Sequence, residues 1–329
     1  MQTSRRIKAD NFASDVLEGL SAAPKFLSSK YFYDDEGSRL FQEIMKLPEY
    51  YLTGAEFEIF STQAKEIYQA FTNNANDNSE IKSFDLIELG AGDGTKTAVL
   101  IEYFLKHNAD FTYIPIDISA EAQRRLTESF RAKFPGLSIR TEVGDYFEIL
   151  ETLKEVSDKP KMILFLGSNI GNFSRADSVE FFKNLAAVMH RKDSLFIGFD
   201  LQKDPRTILR AYDDSQGVTA RFNLNLLARI NRELGGDFNL ENFSHYAVYR
   251  PVECAARSFL ISRKRQTVYI AALNRSFEFK AWEPIFMEIS QKYNLEMIDE
   301  LASESGFLVA RNFFDKRNFY TDSLWKINA

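Results

Sequence analysis

The clearest sign of chemistry in the chain is the stretch "IELGAGDGTKT", where glycines alternate with small and acidic residues. Glycine lets a backbone approach a ligand closely because it has no Cβ. A P-loop needs glycine directly before its Lys-Ser/Thr pair, and a dinucleotide fingerprint needs glycine at its sixth position. Thr95 occupies both places. The acid-x-G-x-G-x-G spacing of Glu88, Gly90, Gly92 and Gly94 therefore predicts another kind of ligand turn, and a purely structural turn is the alternative.

Two more acidic residues follow predicted strands. Asp117 ends the second apolar run, where a carboxylate can accept both hydroxyls of an adenosine ribose. Asp145 and Tyr146 end the third run, "LSIRTEVGDYF". A carboxylate such as Asp145 can accept a hydrogen bond from a ligand, and an aromatic ring such as Tyr146 can pack beside a flat group. A helix N-cap is the alternative for Asp145, and both roles are compatible. Ser119 is the predicted N-cap of the helix that follows Asp117.

The elements that carry these residues alternate between strand and helix. Apolar runs predict strands at 84–89, 111–116, 161–167 and 194–201, and helical periodicity appears between them. Such alternation indicates a parallel α/β sheet. At the C-terminus a helix and two strands follow, and the strands are separated by a polar turn at 316–318. We expect this hairpin to close the sheet with an antiparallel edge.

The pattern changes between Lys203 and Tyr293, where two helical stretches give way to closely spaced strand signals. We interpret this region as an inserted α+β substrate-binding domain, joined by the first sixty residues. The predicted domains are 61–202 with 294–329 for the ligand-binding α/β domain, and 1–60 with 203–293 for the second domain.

Composition limits the function classes. The chain has 329 residues and a net charge of −6, which argues against a nucleic-acid partner because phosphates need a basic face. The single cysteine and three scattered histidines predict neither a disulfide nor a metal site. No long uncharged apolar run is present, so we expect no membrane association and a cytoplasmic protein. We also expect a monomer.

The glycine turn resembles the first motif of class I S-adenosylmethionine (SAM)-dependent methyltransferases. Over nearly the whole chain the sequence is similar to the L-histidine Nα-methyltransferase (dimethylhistidine N-methyltransferase) family of ergothioneine biosynthesis. The matching stretches are "YFYDDEGSRLFQEIMKLPEYYLT", "IELGAGDGTKT", "FLGSNIGNF", "LRAYDDSQGVTARFNLNLLARINRELGGDF" and "FMEISQKY". The resemblance implies a Rossmann-like methyltransferase domain with a second domain, and three successive methyl transfers to the α-amine of histidine, which give the betaine hercynine.

The resemblance also implies roles for particular residues. The expected SAM-binding positions, which S-adenosylhomocysteine would share after transfer, are Glu88, Gly90, Gly92, Gly94, Lys96, Asp117, Asp145 and Tyr146. Lys96 is placed to reach the donor's carboxylate, and a solvated lysine in the first helical turn is the alternative. The expected catalytic positions are Asn172, Tyr33 and Phe41, and the expected substrate positions are Tyr50, Gly167, Asn169, Asn172, Tyr212, Ser258, Glu288 and Ser290.

Several of these residues have a chemical reason to be there. Asn172 offers a donor and an acceptor without charge, so it can bind an amino acid without keeping the amine protonated; a turn residue after Gly171 is the alternative. Glu288 can accept an imidazole N–H and Ser290 can serve the other ring nitrogen. On a strand, residues two apart point the same way. The alternative is a solvated Glu288 on a helix from 282 to 293.

Three positions depart from the family pattern. Asn169 stands where relatives have threonine, Gly54 where they have arginine, and Ser258 where an apolar methionine is expected. A different imidazole or amino-acid substrate is therefore an open alternative. The other hypotheses are a methyltransferase of the same fold acting on another small amine, a nicotinamide dehydrogenase, which Thr95 disfavours, and a non-catalytic SAM-binding module.

Overall fold

The computed structural model describes residues 11–73, 81–117 and 120–328. Ser119, predicted as an N-cap, lies outside the described residues. The helices are α1 (Asn11–Ser21), α2 (Asp35–Ile44), α3 (Tyr51–Thr72), α4 (Thr97–Lys106), α5 (Ala120–Lys133), α6 (Tyr146–Val156), α7 (Arg175–Val188), α8 (Pro205–Tyr212), α9 (Val218–Leu234) and α10 (Leu295–Glu304).

The strands are β1 (Lys25–Phe26), β2 (Ser83–Leu89), β3 (Asp110–Asp117), β4 (Ser138–Ile139), β5 (Glu142–Val143), β6 (Lys161–Phe165), β7 (Ser194–Asp200), β8 (Phe243–Arg250), β9 (Ala255–Ser262), β10 (Gln266–Ile270), β11 (Arg275–Phe279), β12 (Pro284–Gln291), β13 (Phe307–Phe314) and β14 (Tyr320–Ile327).

The chain forms two compact units, each discontinuous in sequence. Unit 1 comprises Met1–Tyr51 with Lys203–Gln291, and unit 2 comprises Leu52–Gln202 with Lys292–Ala329. The predicted boundary at 60/61 falls inside α3, whereas the units divide at 51/52, at the start of that helix. The other divisions are at 202/203 and 291/292, against predictions of 202/203 and 293/294.

Unit 2 is built around the predicted α/β sheet, with strand order β13-β14-β7-β6-β2-β3-β4 and β5 also paired with β3. Strands β7, β6, β2 and β3 run parallel, while β14 runs antiparallel to both β7 and β13. The C-terminal hairpin thus forms the expected antiparallel edge. The chain moves from β2 to β3 on one side and later returns to β6 on the other, so the strand order reverses at β2. In open α/β sheets such a switch point is where ligands bind.

The β2, β6 and β7 strands are almost entirely buried, as expected for a parallel sheet with both faces covered. One buried cluster packs Leu150, Phe182 and Leu301 of the helices against these strands and Trp325 of β14. The third predicted strand is different. It breaks into the two-residue strands β4 and β5, and the strand signal ends at Val143, because Asp145 already caps α6.

Unit 1 contains the four-stranded sheet β1-β12-β9-β8 and the hairpin β10-β11. Its strands β8, β9 and β12 are antiparallel neighbours. Leu226 and Ile230 of α9 and Leu40 of α2 bury apolar side chains in a core with the sheet residues Leu260 and Ile285. The residues 284–291 form strand β12, so the helical alternative for Glu288 is wrong and the strand prediction is confirmed.

Candidate functional site

The glycine turn after β2 needs its glycines for two different reasons. Gly90, Gly92 and Gly94 all have positive φ (72°, 57° and 66°), a conformation that side chains with a Cβ rarely adopt. A Cβ on Gly94 would lie 2.6 Å from the Phe130 ring, so this glycine is required for packing against α5. A Cβ on Gly92 would meet open space. The turn therefore keeps an open backbone beside the switch point of the sheet.

The buried carboxylate of Glu88 accepts two hydrogen bonds beside the glycine turn. Thr97 Oγ1 donates to Glu88 Oε1 at 2.7 Å, and Tyr113 Oη donates to Oε2 at 2.5 Å. Burial raises the pKa of Glu88 to about 7, although the two hydroxyl donors and Lys96 act in the opposite direction. Both carboxylate oxygens are engaged by β3 and by the first residue of α4. This arrangement gives Glu88 the means to fix the geometry of the turn.

Three residues that are predicted to bind the methyl donor lie near one another, after the ends of β3 and β5. Asp117 is the last residue of β3, and Asp145 and Tyr146 form the start of α6. Burial raises the pKa of Tyr146 to about 12, and the nearby carboxylates of Asp117 and Asp145 contribute to the rise. A Cβ on Gly90 would lie 3.1 Å from Tyr146 Oη, so the turn faces this tyrosine.

Asp145 is also an N-cap, as its alternative interpretation predicted. Its Oδ1 accepts from Phe147 N at 2.9 Å and from Glu148 N at 3.3 Å. A cap of this kind satisfies N–H groups that have no partner inside the helix. Both capping bonds use Oδ1, which is compatible with a ligand contact through Oδ2.

Lys96 does not stand free in solvent, so the alternative of a solvated lysine is wrong. Its ammonium forms an ion pair with Oε2 of Glu56 on α3, whose side chain is only 1% exposed. Burial acts to lower the pKa of Lys96, but the carboxylates of Glu56, Asp322 and Glu88 outweigh it and raise the pKa. Glu56 Oε1 in turn accepts from Gly167 N and Tyr320 Oη, each at 2.8 Å.

The turn after β6 carries the predicted residues Gly167, Asn169 and Asn172. Gly167 and Ser168 both have positive φ, and Asn169–Asn172 then form one turn of 3-10 helix. A Cβ on Gly167 would lie 3.4 Å from Lys96 Nζ and 3.8 Å from Asn169 Nδ2. Gly167, Asn169 and Lys96 are therefore neighbours within unit 2. Asn172 ends the 3-10 turn, so its turn-residue interpretation also holds.

The remaining predicted residues lie in unit 1, where the aromatic ones form a cluster. Ring centroids are 5.4 Å apart for Tyr33 and Phe41 and 6.1 Å apart for Phe41 and Tyr50, both edge-on. Phe222 of α9, which the sequence did not single out, contacts both Tyr33 and Phe41 at 5.6 and 5.9 Å. Tyr33 as a whole residue is 47% exposed, but its hydroxyl group is desolvated, which raises the pKa of that hydroxyl, and the charges of Glu288 and Tyr212 raise it further.

A polar group on β12 and α8 lies in the same unit. Tyr212 Oη donates to Ser290 Oγ at 2.7 Å, and both residues are buried. Glu288 precedes Ser290 by two residues on β12 and pairs directly with Ser258 of β9. The structure thus brings Tyr212, Ser258, Glu288 and Ser290 to one part of unit 1.

Gly54 of α3, in unit 2, also departs from the family pattern. A Cβ there would meet open space.

The residues that sequence reasoning missed are Phe222, Glu56, Tyr320 and Asp322. Glu56 gave little signal, because Glu58 is a second acidic residue in the same first turns of α3. Phe222 lies in a matching stretch but is one of 30 phenylalanines, so its identity carried little information.

Two absences can be stated for the residues that the structure describes. In the described ranges, no set of three or more His, Cys, Asp or Glu side chains is arranged to hold a metal ion. Across the same parts of the chain, the helices are too short or too polar to cross a bilayer.

Comparisons with known proteins agree with this geometry. The family described as "Histidine-specific methyltransferase, SAM-dependent" matches residues 12–327. A protein named histidine N-alpha-methyltransferase from Mycolicibacterium smegmatis is 38% identical, with 91% of this chain and 89% of that protein covered. One of the same name from Mycobacterium tuberculosis is 34% identical, with 94% and 93% covered. Ergothioneine biosynthesis protein 1 of Schizosaccharomyces pombe is 28% identical over 87% of this chain and 37% of that protein.

Proposed function

The chain belongs to the SAM-dependent, histidine-specific methyltransferase family, and from that premise we propose that it methylates the α-amine of L-histidine up to the trimethylated betaine hercynine. The fold is that of a class I methyltransferase, with the glycine turn at the switch point of the sheet. The observation that carries the choice of substrate is the polar group of Glu288, Ser290 and Tyr212, within a family match that spans both units.

The donor end is assigned to unit 2. The open glycine turn, the acid at the end of β3 and the Asp145-Tyr146 pair suit an adenosine, because they offer a close backbone, a diol acceptor and a ring with a neighbouring acceptor. Lys96 offers a cation for a carboxylate. When bound, SAM would supply a methyl group on a positively charged sulfur. The residues of this chain would hold it in place and exclude water.

The residues assigned to the imidazole lie in unit 1. Glu288 would accept from one imidazole nitrogen and Ser290 would bind the other, while Tyr212 fixes the Ser290 hydroxyl. Tyr33, Phe41 and Tyr50 would surround the amino acid with ring edges and faces. Asn172 and the turn from Gly167 to Asn169 would bind its backbone groups without a charge that keeps the amine protonated. Catalysis would then rest on orientation of the free amine.

The experiment is to incubate the purified protein with SAM and each amino acid in turn, and to measure product masses. We expect histidine to gain one, two and finally three methyl groups, with α-methylated intermediates. Methylation of a different amino acid in preference to histidine would favour the same-fold alternative. SAM binding without any methylated product would favour the non-catalytic binding module. Cytoplasmic location, a monomeric state and the lack of a nucleic-acid partner stay predictions.

A further inference from the structure

Two buried carboxyls, those of Glu56 and Asp322, lie near Lys96. The roles assigned to the glycine turn and to the substrate residues do not explain why they are there. Asp322 on β14 is completely buried, and Glu56 on α3 is 1% exposed. Among the residues described by the structure, no hydrogen-bond donor reaches either side-chain oxygen of Asp322. An ionised carboxylate left in that state is among the most costly groups to bury.

The sheet geometry brings Glu56 to Asp322. Asp322 pairs directly with Gly198 on the neighbouring strand β7. A Cβ on Gly198 would overlap Glu56 Oε1 and Tyr320 Oη, so the Glu56 carboxyl lies over the very position that a side chain there would fill. Directly opposite residues on antiparallel strands have Cβ positions about 4.5–5.5 Å apart. Glycine at 198 therefore makes room for the Glu56 carboxyl beside Asp322.

The charges of this group do not balance if every acid is ionised. Lys96 is the cation, and it already pairs with Glu56. Three other titratable groups lie close to Lys96, Glu56 and Asp322. They are Tyr320 on β14, Glu88 on β2 and Asp200 on β7, and Asp200 has its own ion pair with the buried Lys292. Glu56 also receives two neutral donors, from Gly167 N and Tyr320 Oη. One positive charge thus faces two adjacent carboxyls.

A shared proton resolves the imbalance. Two ionised carboxylates can only accept, whereas one protonated carboxyl can donate to the other. Like charges at one site cannot both ionise, and this raises the affinity of the pair for a proton. In agreement, burial first and then the Glu56 carboxylate raise the pKa of Asp322 well above its ordinary range, and Lys96 only partly opposes them.

We propose that Asp322 and Glu56 share a single proton, which makes Asp322 a positioning residue that presents one negative charge, not two, to Lys96. With the proton, the Glu56–Lys96 pair is neutral overall and the ammonium remains able to accept a second anion. Without it, the group carries excess negative charge next to the position where Lys96 would meet a ligand carboxylate. This role for Lys96 rests on the proposed function, whereas the shared proton does not.

The first test uses ligand-free protein and infrared spectroscopy at neutral pH, with Glu88→Gln in every protein compared, because Glu88 has a pKa of about 7 and would add a protonated-carboxyl band of its own. In this background Asp322→Asn should remove a protonated-carboxyl band that the parent protein shows, because the remaining Glu56 ionises against Lys96. Glu56→Gln should remove the same band, since Asp322 then becomes the counterion. Asp85→Asn is a matched control, because Asp85 is buried in the same unit but accepts from Ser157 at the opposite end of β2. An unchanged band in both Asp322→Asn and Glu56→Gln would overturn the shared proton.

The second test measures binding across pH by calorimetry. The probes are S-adenosylhomocysteine, which has a carboxylate, and methylthioadenosine, which lacks the amino-acid part. Wild-type affinity for S-adenosylhomocysteine should fall as the pair loses its proton at alkaline pH, by at most about tenfold per pH unit because one proton is linked. In Asp322→Asn this component should disappear, while the ligand's own amine titrates equally in both proteins. Methylthioadenosine should show no difference between the proteins.

The outcomes separate the two proposals. Superimposable pH profiles for wild type and Asp322→Asn would overturn the positioning role, even if the infrared band is lost. Failure of both probes to bind at any pH would overturn the assigned donor site and the proposed function with it. The infrared result would then still decide whether the two carboxyls share a proton.

Discussion

Ser258 and Glu288 lie directly opposite each other on the adjacent antiparallel strands β9 and β12. Cβ atoms of such pairs are about 4.5–5.5 Å apart, so both side chains are presented to the same small region. Ser290, two residues further along β12, pairs with Ala256, which lies on β9 like Ser258. The two positions that were singled out from separate parts of the sequence are therefore neighbours in unit 1.

This arrangement gives a prediction about substrate choice. Glu288→Ala should lose most activity on histidine and shift the preference towards amino acids with apolar or aromatic side chains. The reason is that a site built to hydrogen-bond a ring N–H strongly rejects substrates that lack that group, and the variant removes that penalty. Ser290→Ala should cost less, about 0.5–1.5 kcal/mol for one neutral hydrogen bond. The measurement is kcat/KM for histidine and phenylalanine, and an unchanged ratio in Glu288→Ala would show that Glu288 does not read the ring.

A second prediction concerns Asp117 at the end of β3. Asp117→Ala should weaken binding of S-adenosylhomocysteine by about 1–3 kcal/mol, because a buried ribose diol loses its acceptor. Calorimetry on the purified variant measures this loss. Glu151→Ala, an exposed position on α6, is the control and should bind normally. Equal affinities for the Asp117 variant and the wild type would remove Asp117 from the donor site.

Asp145 allows its two roles to be separated. Asp145→Ala should lower the free energy of unfolding by about 0.5–2 kcal/mol, because α6 loses its cap, and should also weaken donor binding. Asp145→Ser keeps a capping oxygen on a shorter side chain. It should therefore retain most of the stability but lose donor affinity as the alanine variant does. If affinity follows stability in both variants, Asp145 acts only as a cap; denaturation and calorimetry provide the two measurements.

Glu88 predicts a pH dependence of stability. Its pKa is raised to about 7 in the folded protein, against about 4.3 in an unfolded chain. Between these values the folded state binds more protons, so the free energy of unfolding should decrease as pH rises from about 4 to about 7. The loss should be at most about 4 kcal/mol, which is 1.36 kcal/mol for each of about 2.7 pKa units, and should level off above that range.

The variant Glu88→Gln cannot ionise and should lack this component of the decrease. Glu151→Gln, where the side chain is exposed, should keep the wild-type profile. Urea denaturation at a series of pH values makes the comparison. A decrease of the same size in Glu88→Gln would assign the proton to another group.

The pH dependence of activity should come from the substrate amine. The nucleophile must be the free amine, and a reference α-amino group has a pKa of about 7.7–8.0. The rate should therefore rise from neutral to mildly alkaline pH when methyl transfer limits the rate. Burial raises the pKa of Tyr33, which keeps its hydroxyl protonated, so Tyr33→Phe should retain this rise. Loss of the rise in Tyr33→Phe would instead identify Tyr33 as the proton acceptor.

Sequence reasoning located the parallel sheet, its antiparallel edge and the glycine turn because these depend on local patterns. Apolar runs with helical segments between them predict a buried parallel sheet, and Gly90 to Gly94 mark a turn that needs positive φ. The third strand was harder, since the cap at Asp145 ends it early. Glu288 was ambiguous between strand and helix in the sequence, and its pairing with Ser258 resolved it.

The amino-acid sequence by itself predicted which residues would bind a nucleoside, because the glycines and the acids follow strands that local patterns reveal. It did not determine the surroundings of Lys96. Glu56, Gly198 and Asp322 come from distant parts of the sequence and meet only when α3 packs over the β7–β14 pair. The charge states of Glu56 and Asp322 depend on how deeply they are buried and on their distance from each other, and tertiary packing sets both quantities.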